Sequence, residues 1–93
     1  MQNYDKYVTK YSFPRDNIDN INVTYCGGEY WGIFDGNGNT CYDRNTESFV
    51  NIQRSQIGLT SEQYLKRYRF TEAELPEALE IAEHIAREWG YVN

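Results

Sequence analysis

Histidine is almost missing from this chain: His84 is the only one among 93 residues. With Cys26 and Cys41 as the only cysteines, three scattered donors do not form the tight Cys/His cluster that zinc requires. No Cys–His pair is evident for nucleophilic catalysis either. No stretch approaches the roughly 20 apolar residues of a membrane helix, so no membrane association is expected. Met1 to Lys10 reads MQNYDKYVTK, without the apolar run of a signal-peptide core, and a cytoplasmic setting is the expectation. In that setting the Asn22-Val23-Thr24 sequon is a chance match within a strand. Basic residues are also in deficit, nine against 14 acidic, for a net charge of -5, which argues against direct binding to nucleic-acid phosphates. A phosphate-cradling loop is missing too, because Gly36-Asn37-Gly38 is too short and no Lys-Ser or Lys-Thr follows it.

Leucine is scarce, at four residues, so the bulk of a core must come from other side chains. Aromatic residues supply it: they make up 16% of the chain and include nine tyrosines, a content at odds with disorder. The length allows one domain spanning residues 1–93. A chain of this size buries about 60 to 65% of its unfolded surface, which leaves little room for an enclosed catalytic cavity. A non-catalytic protein without a cofactor or resident metal is the expectation.

Strands come first and helices last. From Tyr7 to Phe13 the residues alternate, with Tyr7, Thr9, Tyr11 and Phe13 on one side, and Pro14 stops the run. Further strands are expected at Ile21 to Cys26, Glu29 to Phe34, Asn39 to Arg44 and, with weaker alternation, Glu47 to Gln53. Gly27-Gly28 and Asp35-Gly36-Asn37-Gly38 separate three of them and read as hairpin turns. Pairing Cys26 with Glu29 and Phe34 with Asn39 puts Cys41 in the row of Val23 and Cys26 on the opposite face. Two thiols without a disulfide are therefore expected, in keeping with a reducing compartment.

Thr60-Ser61-Glu62-Gln63 and Thr71-Glu72-Ala73-Glu74 both have capping-box form, and each announces a helix. The first should be short, reaching about Tyr68. The second should run to Trp89, where Gly90 supplies a left-handed stop. Pro76 conflicts with an early start, and either a kink or a true start at Pro76 is expected. Beyond it, Leu75, Ala78, Leu79, Ala82, Ile85, Ala86 and Trp89 share one helix face. The predicted fold is α+β: a small, mainly antiparallel sheet of four to five strands with a short helix and a longer C-terminal amphipathic helix packed on one face.

Four constellations could carry function. In Asp35-Gly36-Asn37-Gly38-Asn39 oxygen-bearing residues alternate as in an EF-hand-type calcium loop, with Cys41 and Asp43 completing that register. Thr40 stands where such a loop needs glycine, and the acid arrives one place late at Glu47, so a hairpin turn explains the run more simply. Asp16 and Asp19 sit in a polar loop and lack the enclosed cleft of a catalytic carboxylate pair. Tyr7, Tyr11 and Phe13 beside Lys6, Lys10 and Arg15, joined by Lys66-Arg67-Tyr68-Arg69, could stack bases, but a Tyr-rich core needs those aromatics.

The fourth is the last helix. Six glutamates between Glu72 and Glu88 face Arg87 alone, while residues 1–70 are neutral, with eight acidic and eight basic residues. Glu77, Glu80, Glu83 and Glu88 avoid the apolar stripe, and His84 lies opposite it. The expectation is a small intracellular protein-binding module whose partner offers a basic surface contacted by Glu77, Glu80, Glu83 and Glu88. Size, solubility and a segregated acidic helix are shared, as physical type only, with small phage- or mobile-element-encoded inhibitors of host nucleic-acid enzymes, anti-CRISPR proteins among them. The alternatives are ligand or Ca2+ binding through the Asp35–Asp43 hairpin, and a structural role through the Tyr-rich sheet, for which a homodimer is the expected sign.

Overall fold

The computed structural model describes residues 10–14, 19–36, 38–55 and 57–92. Its strands β1 (Lys10–Phe13), β2 (Ile21–Gly27), β3 (Tyr30–Asp35), β4 (Thr40–Asp43) and β5 (Ser48–Asn51) lie side by side in chain order, each antiparallel to the next. This is the meander that the glycine-rich turns predict. Gly27, Gly28 and Gly38 all have positive φ, as their turns require. After β5 come the single helical turn α1 (Ile52–Ser55), α2 (Ser61–Tyr68), the two-residue β6 (Phe70–Thr71), a 3-10 turn (Glu72–Glu74) and α3 (Leu75–Glu88). The α+β class, a small antiparallel sheet with a short and a longer helix, is therefore present. Among the described residues no helix is long and apolar enough to cross a membrane.

Of the predicted N-terminal strand, residues 7–9 lie outside the described residues. In the remainder the alternation holds: Tyr11 pairs with Val23 and Phe13 with Ile21, and both aromatics pack on the core. The predicted fifth strand is shorter than expected, because Asn51 accepts the Gln53 N–H at 2.9 Å and turns the chain into α1.

The core fills one face of the sheet. Ile21, Val23, Trp31, Ile33 and Tyr42 project there beneath α3, which presents Leu75, Ala78, Ala82 and Ala86. The three alanines, four residues apart and fully buried, form a flat row that lets the helix lie close to the strands. The class holds, but the short helix does not share the face of α3 as expected: it takes the other, because Arg67 and Tyr68 meet the Asp43 side of β4. The chain changes face at β6, which pairs with the start of β3 and places Phe70 opposite Trp31 in the core layer.

Both capping boxes form. Thr60 and Gln63 exchange backbone N–H bonds at 3.2 and 3.0 Å and open α2. Thr71 and Glu74 close the second box, but it opens only the 3-10 turn. The α-helix proper starts at Leu75 with Pro76 in its first turn, where a missing N–H costs nothing, so the conflict resolves as a true start without a kink. Gly90, at φ 79°, ends it one residue after Trp89.

One expectation about register fails. Val23 pairs with Ile33, not Gly32, and a bulge between Tyr25 and Gly27 absorbs the difference, while Cys41 pairs with Phe34. Cys41 thus shares the face of Asn22, Thr24 and Cys26 rather than that of Val23. Cys26 and Cys41 are nevertheless both thiols. What separates them is β3, which holds their strands about 10 Å apart, beyond the roughly 7 Å that a disulfide spans between Cα atoms.

Candidate functional site

On the core side of the sheet a groove of about 400 Å³ runs between α3 and the β4–β5 turn. Its floor is apolar: Tyr42 from β4 and Ile81 and Ile85 from α3. Its rim is acidic, with Glu47 from the turn on one side and Glu80 and Glu88 on the other. His84 stands on the rim and meets Glu88 at 3.0 Å, the only nitrogen base among three carboxylates. These positions follow from helical spacing, since Ile81, His84, Ile85 and Glu88 recur every three or four residues along the flank of α3. Glu47 comes from a different signal. It occupies a left-handed position at φ 53° in the turn, closed by its own N–H donating to the Asp43 carbonyl at 2.8 Å. An acidic side chain there is accepted at a conformational cost that glycine would avoid.

The four glutamates expected to act together are divided by the structure. Glu80 and Glu88 border the groove. Glu77, one turn before Glu80, points to Arg44 at 3.8 Å, and Arg44 is held in turn by both carboxylate oxygens of Glu74 at 3.1 and 3.4 Å. Glu83 lies on the next edge of the helix and pairs with Arg87 at 3.1 Å. The residues missed from sequence are Glu47 and Tyr42, because only pairing β4 and β5 beside α3 brings them to the same groove. Burial and then the Glu47 charge raise the Tyr42 phenol above its ordinary pKa.

The other constellations are dispersed. In the Asp35 turn the carboxylate accepts the Gly38 N–H at 3.1 Å, as an Asx turn does. Asp43, the expected ninth-position ligand, is fully buried and turned to Arg67 at 2.7 Å, away from that loop. Asn37 lies outside the described residues, and among those described no three His, Cys, Asp or Glu residues are placed to share a metal ion. Of the aromatic and basic N-terminal strand, Lys10, Tyr11 and Phe13 are described, and the aromatics take the core role preferred for them. Tyr11 packs on Trp31 with centroids 5.7 Å apart and the rings tilted, inside the core layer, while Lys10, the preceding residue, points to the opposite face. Lys6, Tyr7, Arg15 and Asp16 lie outside the described residues. In the Lys66–Arg69 run, Arg67 is bound to Asp43, and Arg69 to the Tyr64 hydroxyl and the Tyr68 carbonyl, both at 2.8 Å. Comparison with protein-family models, with curated proteins and with solved structures gives no match.

Proposed function

We propose that this protein is a non-catalytic binding module whose acidic groove receives a basic segment of a partner protein. The observation that carries the reading is the pairing of an apolar floor, Tyr42, Ile81 and Ile85, with a rim of Glu47, Glu80 and Glu88. A lysine or arginine side chain satisfies both at once, since its aliphatic stem packs on apolar surface while its charged head reaches carboxylates. The left-handed Glu47 adds support, because its acid is kept where turn geometry alone would favour glycine. Nucleic-acid enzymes carry exposed basic segments, so an inhibitor of such an enzyme, of the kind mobile elements encode, is one form of this function.

Affinity capture from a lysate at about 150 mM salt, where surface charges more than roughly 8 Å apart are screened, tests the reading. A triple variant, Glu47→Gln with Glu80→Gln and Glu88→Gln, should keep the native circular dichroism spectrum and lose a basic partner that the wild type captures. Glu83→Gln, outside the groove, should retain it. Equal capture by the triple variant would overturn the assignment.

A further inference from the structure

On the opposite face of the sheet, between α2, the β4–β5 turn and α1, lies a second open cleft, of about 560 Å³. Its chemistry is the reverse of the groove's. Its only acid, Asp43, is fully buried and spent: one oxygen accepts Arg67 Nε at 2.9 Å and the Asn45 N–H at 2.9 Å, the other accepts Arg67 Nη2 at 2.7 Å. This fork uses the Nε and Nη2 edge of the guanidinium, which the Tyr68 side chain also bonds, and leaves Nη1 outside the Asp43 fork. Arg67 remains 31% exposed and lines the cleft. Arg54, from α1, lines it too and makes no ion pair with a described residue. The Thr46 and Ser48 hydroxyls line the cleft as well, hydrogen-bonded to each other at 2.8 Å, with Thr46 also bonded to Asp43.

We infer that this cleft binds the phosphate group of a small ligand through Arg67, Arg54 and the Thr46 and Ser48 hydroxyls. Guanidinium groups match phosphate oxygens in charge and in the spacing of their donors, and the Thr46–Ser48 hydroxyl pair exchanges its mutual bond for one to a phosphate oxygen. Asp43 has already immobilised Arg67, so an anion meets a donor whose rotamer freedom is spent on folding rather than on binding. The location in an acidic protein strengthens the assignment. The chain carries -5 overall, yet this cleft, with Arg54 and Arg67 against Asp43, is net positive by one charge. Tyr68 and Val50 add an apolar wall against which the body of a phosphate monoester would rest.

The test is an NMR titration of the intact protein with inorganic phosphate and, separately, with phenyl phosphate, following arginine Nε–H and backbone amides. Saturable shifts confined to Arg67, Arg54 and residues 46–48 are expected, with a Kd on the order of 1 mM or tighter. Tighter binding of phenyl phosphate identifies a monoester as the ligand, and equal binding identifies free phosphate; both support the site. Arg54→Met and Thr46→Val should each weaken binding, Arg54→Met by about tenfold. Lys66→Met removes the same charge outside the cleft and should leave it unchanged. Arg67→Met would strand the buried Asp43 carboxylate and test folding instead of binding. Shifts that do not saturate, or that are the same in Arg54→Met as in the wild type, would overturn the inference.

Discussion

Asp43 has no contact with solvent, and it stays ionised because Arg67 grips both of its oxygens. That hydrogen-bonded pairing is the main reason its pKa lies below the ordinary aspartate value, outweighing burial, which pushes the other way. Glu74 is shifted in the same direction, first by the Thr71 N–H and then by Arg44. A carboxyl whose pKa is lower in the folded than in the unfolded chain stabilises the fold above its unfolded value. That stabilisation drains away as the pH falls through the folded value. Urea unfolding midpoints should therefore drop as the pH is lowered from about 4, and Asp43→Asn should flatten part of that drop. An equally steep pH dependence in Asp43→Asn would mean that other carboxylates carry it. Gly32 shows a different constraint at the same scale. A Cβ there would sit 2.8 and 2.9 Å from the Phe34 ring and 3.3 Å from Arg69 Nη1, so glycine is what allows Arg69 to lie across the sheet between Phe34 and Tyr64.

Among the elements, α3 is defined by its alanine row. Ala78, Ala82 and Ala86 admit no bulk because Ile21 and Val23 already fill the layer beneath them. Ala82→Leu should destabilise the protein by about 1 to 3 kcal/mol, the usual cost of overpacking a filled core. A thermal unfolding midpoint unchanged from the wild type would show that the helix can lift away freely. The helices were legible in the chain because their signals are local. The Thr60/Gln63 box, the Leu75 to Ala86 spacing and the Gly90 stop all act within four or five residues of themselves. Register was not legible. Whether Val23 meets Gly32 or Ile33 depends on a bulge at Cys26, which the neighbouring strand and the turn decide together, and a one-residue difference moved Cys41 to the other face.

For the whole molecule, net charge is a poor guide, because the two clefts differ in sign. The groove beside α3 carries Glu47, Glu80 and Glu88, while the cleft on the α2 face exposes Arg54 and Arg67. If the groove receives a basic partner, attraction over distance should speed the encounter. The association rate should then fall several-fold between about 50 and 300 mM salt as the screening length shortens. A rate insensitive to salt would argue that apolar contact with Tyr42, Ile81 and Ile85 dominates instead. Half of the candidate site could be read from the chain: Glu80 and Glu88 stand on a helix flank that periodicity reveals. Glu47 and Tyr42 are more than 30 residues away in sequence and carry no local mark of belonging with them.

The scarcity of histidine, the four leucines against nine tyrosines, the glycine turns and the two capping boxes determined by themselves a small α+β domain. They also placed the excess acid on the last helix, since composition and local geometry need no distant partner. Only the tertiary structure decided which glutamates stand together. It joined Glu47 to Glu80 and Glu88, diverted Glu77 to Arg44 and Glu83 to Arg87, and set Asp43 and Arg67 on the far face. The physical reason is that a carboxylate's role is set by the charge nearest to it in space. That neighbour is chosen by strand register and by the crossing at β6.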